Sequence, residues 1–259
     1  MPDRIRLDGR VAVVTGAAGV IGTATIRLLA ERGARIVAVD RKPQDLQTAV
    51  RDLPTSAQAL AITADVTSED EVAEYVRTAV DKFGTIDVFY NNAGIEGDIA
   101  PITRYSLETF RRVIDVNVVG VFLGLKHVLP VMLKQSKGSI INTASIAGLI
   151  GSPEVAVYSA SKHAVIGLTK SAAQECSATG VRVNCVCPGL IDSRMLSAII
   201  EGRNPGNTPV PNDKIVERIP ARRLGLASEV ASVVAFLASD EASYVSGSAY
   251  TVDGGRTAA

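Results

Sequence analysis

The stretch Val11-Ala12-Val13-Val14-Thr15-Gly16-Ala17-Ala18-Gly19-Val20-Ile21-Gly22 decides the fold of this chain. Its first five residues form a short apolar run that Gly16 closes, which predicts a buried β-strand. A helical pattern follows over residues 20–32 and stops at Gly33. A strand, a glycine-rich turn and a helix in this order are typical of a dinucleotide phosphate site. The glycines let the backbone approach closely, and the helix N-terminus offers free amides.

The same rhythm of strand and helix continues along the chain. Further apolar strands are predicted at 35–39, 60–64, 86–90, 138–143, 181–187 and 248–252, and helices at 45–52, 68–83, 107–135, 156–179 and 227–238. Strands separated by helices of this length imply parallel pairing with right-handed crossovers. The predicted fold class is α/β: a single domain over 1–259 with a doubly wound parallel sheet (Rossmann fold) and helices on both faces.

Residues 191–225 interrupt this rhythm. They carry glycine, proline and asparagine between short helical patterns, as in Gly202-Arg203-Asn204-Pro205-Gly206-Asn207. A long irregular insertion in a compact domain is often a binding loop, so we interpret it as a substrate-binding loop insertion. The alternative is a tolerated surface insertion.

The composition excludes several classes of protein. Hydrophobic residues make up 47% and charged residues 21% of the 259 residues, as in globular proteins. Lys plus Arg number 27, as do Asp plus Glu, and Trp is absent, which argues against a nucleic-acid partner. Residues 1–10 lack the apolar core of a secretory signal and no apolar run reaches the ~18 residues of a membrane span, so we expect a cytoplasmic protein without a membrane partner. Three cysteines without metal-ligand spacing predict buried thiols, and no metal site is expected.

Asp40 ends the second predicted strand, about 20 residues after the glycines. A carboxylate at this place accepts hydrogen bonds from the ribose hydroxyls of adenosine and repels a 2′-phosphate. The sequence therefore favours NAD over NADP. Arg41 follows directly and could bind a 2′-phosphate, which leaves NADP open.

A second group of residues carries acid/base chemistry. Tyr158 and Lys162 stand at i and i+4, on one face of a predicted helix. Ser145 follows an apolar strand, at the sheet edge where ligands bind in this class of fold. A free phenol has a pKa near 10 and is a poor base at neutral pH, so we expect the Lys162 ammonium to favour the phenolate. Ser145 could hold the substrate oxygen by a hydrogen bond.

Together, these features resemble the short-chain dehydrogenase/reductase family, from residue 7 to about 256. The resemblance is carried by the turn 15–22, Asp65-Val66, Asn91-Asn92-Ala93-Gly94, Asn117, Ser145, Tyr158-x-x-x-Lys162 and Pro188-Gly189. It implies an oxidoreductase that transfers a hydride between NAD(H) and a secondary alcohol or ketone. It also implies a homotetramer built on the helices 107–135 and 156–179.

The resemblance assigns roles to individual residues. Asn117, Ser145, Tyr158 and Lys162 would form the catalytic tetrad, with Asn117 holding a water in a proton relay and Lys162 also binding the nicotinamide ribose. Asn91 would line the cofactor cleft. Cofactor binding is further implied for Gly16, Gly19, Val20, Ile21, Gly22, Asp40, Arg41, Asp65, Val66, Asn92, Ala93, Gly94, Tyr158, Lys162, Pro188, Gly189, Ile191 and Ser193.

The glycine-rich turn departs from the family pattern at one position. The family turn reads Thr-Gly-x-x-x-Gly-x-Gly, and Val20 stands here at the middle glycine. Valine tolerates a positive φ poorly. Either Val20 has a negative φ, or Gly19 takes over the flexible role. A side chain that blocked the pyrophosphate would remove the NAD assignment.

The substrate pocket is predicted to be mostly apolar. Its expected residues are Glu96, Ser145, Ala147, Tyr158 and Met195, with Pro153, Gly189 and Ile199 in the wall. Such a wall suits an uncharged cyclic or aryl alcohol or ketone. Two alternatives stay open. One is an enzyme like the 3-oxoacyl-(acyl carrier protein) reductases, against which Asp40 and the balanced charge count. The other is a catalytically inactive NAD-binding regulator, against which the complete tetrad counts.

Overall fold

The computed structural model describes residues 5–204 and 212–258. Within them, seven parallel strands form a single sheet. The strands are β1 (Val11–Thr15), β2 (Arg35–Asp40), β3 (Ala59–Thr63), β4 (Val88–Asn91), β5 (Gly138–Thr143), β6 (Val181–Pro188) and β7 (Ala249–Val252). Their spatial order is β3-β2-β1-β4-β5-β6-β7, so the strand order reverses between β1 and β4. The predicted doubly wound parallel sheet is confirmed, and a ligand crevice is expected at this reversal.

Helices cover both faces of the sheet. They are α1 (Val20–Glu31), α2 (Pro43–Arg51), α3 (Glu69–Phe83), α4 (Leu107–Ile114), α5 (Gly120–Gln135), α6 (Ala156–Cys176), α7 (Arg194–Gly202), α8 (Asn212–Val216) and α9 (Ala227–Ala238). Side chains of α1, α2 and α9 form one core layer, and side chains of α3, α5 and α6 form the other. Because both faces are covered, β1 and β5 are buried along their whole length, and β1 reads as an apolar run in the sequence.

The predicted helix 107–135 is one helical stretch with a local irregularity. A π-helical turn over Asp115–Val119 joins α4 to α5. By length and mean hydropathy this stretch passes the test for a membrane span, although Asn117, Lys126 and His127 interrupt its apolar residues. Its apolar window is 44% buried inside the protein, and α5 packs against α3 and α6. These contacts are those of a core helix.

The segment 191–225 contains short helices where it is described. Its described parts contain α7 and α8, while residues 205–211 lie outside the described residues, together with most of the glycine- and proline-rich motif. A parallel β-bridge between Ile191 and Gly225 joins the two ends of the segment. The segment therefore leaves and returns to the sheet at one place, next to the end of β6.

Candidate active site

The candidate site residues lie at one edge of the sheet. Because all strands are parallel, their carboxyl ends meet at this edge. The residues that follow or close the strands are Gly16 after β1, Asp40 in β2, Asp65 after β3, Ala93 after β4, Ser145 after β5 and Pro188 in β6. The fold therefore brings together segments that are up to about 170 residues apart in the sequence.

An open cleft with about 510 Å³ of empty space lies at this edge. Most of its wall consists of residues predicted to bind the cofactor. The lining residues are Gly16, Asp40, Arg41, Ala64, Asp65, Val66, Ala93, Gly94, Ile95 and Val116. Ala64, Ile95 and Val116 were not predicted as cleft residues. The sequence indicates them only by their places next to the predicted residues Asp65, Gly94 and Asn117.

The glycine-rich turn forms a cradle that side chains would fill. Gly16 has a φ of +62°, and a Cβ there would lie 2.9 Å from the Cα of Ala93. A Cβ on Gly22 would lie 2.1 Å from the carbonyl oxygen of Gly16. Glycine is therefore required at both positions by close backbone approach, as in a dinucleotide turn.

Val20 does not require a left-handed backbone. It is the first residue of α1, its side chain is 48% exposed, and its φ is not positive. Gly19 precedes it with a φ of −73°, so Gly19 does not take over a left-handed role. The first of the two alternatives therefore holds: Val20 adopts an ordinary helical conformation. The cradle, the free amides at the start of α1 and the acidic Asp40 fit a dinucleotide.

Asp40 lies directly beside the glycine-rich turn. Its Oδ2 accepts a hydrogen bond from the amide of Ala18 at 3.1 Å, and its Oδ1 accepts one from the amide of Lys42 at 3.2 Å. Since each carboxylate oxygen can accept more than one hydrogen bond, Asp40 can still accept from a ribose. The residue therefore both braces the turn and presents a negative charge to the cleft.

Asn92 ties three strands together below the cleft. Its main-chain amide donates to Thr15 Oγ1 at 2.9 Å, its Nδ2 donates to the Thr15 carbonyl at 3.1 Å, and its Oδ1 accepts from Thr143 Oγ1 at 3.1 Å.

Asn91 does not line the cofactor cleft, contrary to the expectation from the sequence. Its side chain is buried and donates to the carbonyl oxygen of Val121 at 3.0 Å, so it points into the core rather than the cleft.

Tyr158, Ser145 and Lys162 converge beside the cleft. Tyr158 and Lys162 lie on α6, and the Lys162 Nζ is 5.6 Å from the centre of the Tyr158 ring. The Ser145 hydroxyl lies close enough to the Tyr158 phenol to lower its pKa. The predicted serine, phenol and ammonium therefore share one site, as the sequence implies.

Burial dominates the electrostatics of this cluster. Burial raises the pKa of Tyr158 to about 12, the Ser145 hydrogen bond lowers it, and the negative charge of Glu96 raises it. Burial also lowers the pKa of Lys162 to about 8. The Lys162 Nζ donates to the carbonyl oxygen of Thr143 at 2.7 Å. In the protein alone, Ser145 is the neighbour that lowers the pKa of Tyr158. The expected effect of the Lys162 ammonium on the phenolate stays a prediction.

Asn117 lies in the π-helical turn and is fully buried. Its Oδ1 accepts from the amide of Ile95 at 2.9 Å, and its Nδ2 donates to the Ile95 carbonyl at 2.9 Å and to Ser161 Oγ at 3.0 Å. Its side chain therefore positions the cleft wall and α6. With its side chain used in this way, the main-chain carbonyl of Asn117 is the group that would hold the expected relay water, and this role stays a prediction. Ser161 was not predicted.

The end of β6 supplies the rest of the predicted cofactor wall. The Pro188 carbonyl lies 3.5 Å from the Ser145 hydroxyl, which donates to it. A Cβ on Gly189 would lie 2.8 Å from the Cα of Asp253, so glycine is needed for close packing. Ile191 is buried, and Ser193 caps α7 by accepting from the amide of Leu196 at 3.3 Å. These residues connect the catalytic cluster to α7.

The predicted substrate wall comes from three segments. Ala147 is buried next to Ser145, to whose hydroxyl its amide donates at 3.1 Å. The Glu96 side chain is only 13% exposed and pairs with Arg194 of α7 at 3.2 Å. Met195 is the next residue of α7 and is half-buried. Arg194 was missed, because nothing in the sequence signals its pairing with a residue 98 positions away.

Metal-ligating groups are not clustered in the part of the chain described, where no three His, Cys, Asp or Glu side chains could hold an ion together. Cys176, Cys185 and Cys187 are buried free thiols, as predicted.

Comparisons with known proteins agree with this geometry. A family model described as "Enoyl-(Acyl carrier protein) reductase" matches residues 16–257. Levodione reductase from Leifsonia aquatica is 39% identical over 257 residues, covering 98% of this chain and 96% of the relative. Its crystal structure superimposes with a TM-score of 0.95, covering 98% of this chain and 100% of that chain.

Two further proteins show the same likeness. Cyclohexanol dehydrogenase from Acinetobacter sp. (strain SE19) is 40% identical over 253 residues, covering 97% of this chain and 96% of the relative. The crystal structure of NAD+-bound xylitol dehydrogenase has a TM-score of 0.91 at 37% identity, covering 96% of this chain and 99% of that chain.

The fold and the site together define an oxidoreductase with a dinucleotide cleft. The chain belongs to the short-chain dehydrogenase/reductase family. Enzyme activity on CH–OH groups and NAD as the cofactor, both expected from the sequence, are confirmed at the level of this family.

Proposed function

We propose that this protein interconverts a secondary alcohol and a ketone with NAD as its cofactor, and that the substrate is uncharged and cyclic or aryl. The observation that carries the proposal is the convergence of Tyr158, Ser145 and Lys162 beside the cofactor cleft. The mostly apolar wall and the relatives named for levodione and cyclohexanol support a cyclic substrate.

The residues of the site have distinct tasks in this reaction. The Ser145 hydroxyl holds the substrate oxygen, and Tyr158 donates a proton to that oxygen in reduction or accepts one in oxidation. Lys162 and Asp40 would hold the two ribose groups of the cofactor, and the amides at the start of α1 would hold its phosphates. When bound, NAD would supply the hydride acceptor or donor. Glu96, Ala147 and Met195 would enclose the substrate.

A substrate screen tests the proposal. Purified protein is assayed with NADH and a panel of cyclic, aryl and open-chain ketones, and with NAD and the matching alcohols, by the absorbance of the reduced cofactor. We expect the largest kcat/KM with a cyclic or aryl ketone. Uniform inactivity across the panel, with the cofactor bound normally, would instead support the inactive regulator.

A carrier-bound acyl substrate is the second candidate, because the matching family model is described by an acyl-carrier reaction. The same assay with NADPH and a 3-oxoacyl carrier thioester separates the two. Higher activity with NADPH and the thioester than with NADH and the cyclic ketones would overturn the proposed substrate class.

We further propose a cytoplasmic homotetramer that binds neither nucleic acid nor membranes. Large apolar side chains are exposed along α4 and α5, one of the two helical stretches expected to build the interface: Leu107, Phe110, Phe122 and Leu133. Covering such side chains with a second copy would remove them from water. Light scattering coupled to size-exclusion chromatography should give four times the chain mass of 27.1 kDa.

The raised pKa of Tyr158 predicts how the two directions depend on pH. With a pKa of about 12 in the protein alone, the phenol is protonated at neutral pH, which suits a proton donor. Oxidation needs the ionised phenol, so its kcat/KM should rise up to about tenfold per pH unit between about pH 7 and 9. Reduction should change little over the same range. A flat or falling profile for oxidation would contradict Tyr158 as the base, provided that cofactor affinity, measured separately, stays constant.

A further inference from the structure

Ser161 is a buried hydroxyl residue of α6 to which the proposed reaction assigns no task. Its exposed fraction is 0%. It lies one helical turn after Tyr158 and directly precedes Lys162. A buried hydroxyl needs hydrogen-bond partners, because an unpaired polar group away from water is costly. The partners of Ser161 therefore indicate what holds this turn of the helix in place.

Two hydrogen bonds of the Ser161 hydroxyl connect separate parts of the site. Its Oγ donates to the main-chain carbonyl of Tyr158 at 2.7 Å. The same Oγ accepts from Asn117 Nδ2 at 3.0 Å. A hydroxyl that donates one hydrogen bond and accepts another is polarised by both, so the two bonds strengthen each other. Ser161 thus joins the π-helical turn to the turn of α6 that carries the phenol.

On its other side, Asn117 is held by the wall of the cofactor cleft. Its Oδ1 and Nδ2 pair with the amide and the carbonyl of Ile95, both at 2.9 Å. Ile95 and its neighbour Gly94 line the cleft. A Cβ on Gly94 would lie 3.3 Å from Asn117 Oδ1 and 3.4 Å from Lys162 Nζ, so these groups pack closely around it. A continuous series of hydrogen bonds therefore runs from the cleft wall through Asn117 and Ser161 to the main chain of α6.

We propose that Ser161 is a positioning residue for the acid/base: its hydroxyl fixes the α6 turn that carries Tyr158 against the wall of the cofactor cleft. The inference rests on the proposed function. Ser161 takes no part in proton transfer itself, because its hydroxyl is engaged by a main-chain carbonyl and by a side-chain amide. A small displacement of a reacting group can cost orders of magnitude in rate, so the loss of this hydroxyl should appear in kcat rather than in binding.

Thr169 of the same helix provides a matched control. Its hydroxyl is fully buried, donates to the Val165 carbonyl at 2.8 Å and accepts from Asn142 Nδ2 at 3.0 Å. Like Ser161, it thus pairs with a carbonyl of α6 and with an asparagine amide of a neighbouring element. Asn142 lies in β5 and belongs to neither the catalytic tetrad nor the cleft wall. Ser161→Ala and Thr169→Val each remove one buried hydroxyl, but only the first breaks the link to Asn117.

The first measurement compares kinetics and stability, with NADH and the best ketone from the substrate screen. Ser161→Ala should lower kcat about tenfold or more, while the KM for the ketone and the Kd for NADH change less than about threefold. Thr169→Val should keep its kcat. Both variants should lower the midpoint of thermal unfolding, since each leaves an asparagine donor without its acceptor. Rates are measured at a temperature at which circular dichroism shows both variants folded.

The second measurement observes the link itself, by NMR of the protein without cofactor. The Nδ2 protons of Asn117 are assigned by their nuclear Overhauser contacts with the Ile95 amide. In Ser161→Ala they should exchange faster with solvent, because one of them loses its acceptor. Thr169→Val should leave their exchange unchanged.

Ser161→Cys keeps the shape of the side chain but replaces the hydroxyl by a weak donor and acceptor. Its kcat and its Asn117 exchange rate should lie between those of the unmodified protein and those of Ser161→Ala. If Ser161→Ala does not fold, Ser161→Cys decides by the same comparison with Thr169→Val.

The proposal would be overturned by equal kcat values in Ser161→Ala and Thr169→Val, by a loss that appears in KM alone, or by an unmodified kcat in Ser161→Cys. The NMR readout keeps the failure of the proposed function apart from these outcomes. If Tyr158→Phe kept its turnover, the proposed function would fall, while the exchange of the Asn117 amide would still show whether Ser161 holds it.

Discussion

Replacing Tyr158 with Phe is expected to lower kcat by about 1000-fold or more while leaving the Kd for NADH nearly unchanged. General acid/base groups typically contribute two to four orders of magnitude in rate. Phe keeps the ring that packs near Lys162 and removes only the hydroxyl that meets Ser145. The rate is measured with the best ketone from the substrate screen, and the Kd by quenching or enhancement of NADH fluorescence.

The chain offers a matched control for this loss. Tyr75 is a buried tyrosine of α3 that lies in the core and outside the cleft, so Tyr75→Phe removes a phenol hydroxyl without touching the site. We expect Tyr75→Phe to keep its turnover. Loss of NADH binding together with turnover in Tyr158→Phe would show that Tyr158 serves the cofactor rather than the proton. Retained turnover would exclude Tyr158 as the acid/base.

The central strands of the sheet were predictable because helices cover both of their faces. β1 is buried at every position and reads as an apolar run, and β5 is buried at every position around Ile140 and Ile141. The parallel arrangement then places every strand's carboxyl end at one edge. This is why Asp40, Ala93 and Ser145 could be assigned to one site from their positions after strands alone.

The parts that were not predicted depend on contacts between distant residues. The helical pattern over 107–135 gives no sign of the π-helical turn. That turn carries Asn117, whose amide bonds Ile95 and Ser161, 22 and 44 residues away. Likewise, the i, i+4 spacing places Lys162 on the Tyr158 face of α6, but the direction of its ammonium is set by the Thr143 carbonyl. Periodicity predicts a face of a helix and not the hydrogen bond made there.

Replacing Asp40 with Ala is expected to lower the preference for NAD over NADP by about 10- to 100-fold, measured as the ratio of the two kcat/KM values. Repulsion between a carboxylate and a nearby 2′-phosphate weakens NADP binding by several kcal/mol when both charges are poorly solvated. The effect is smaller at a partly exposed position such as this one. The carboxylate also accepts from the Ala18 and Lys42 amides, so Asp40→Ala should in addition lower the free energy of unfolding by about 1 kcal/mol.

Asp40→Asn separates these two effects, because it removes the charge and keeps one oxygen acceptor next to the turn. It should relax cofactor discrimination with a smaller loss of stability than Asp40→Ala. Arg41 also lines the cleft and, once Asp40 no longer opposes it, can pair with a 2′-phosphate. Combining Asp40→Ala with Arg41→Ala should therefore lose much of the gained NADP activity. If discrimination stays unchanged in both Asp40 variants, another residue reads the ribose. Repulsion by the carboxylate at the end of β2 would then not be what selects NAD.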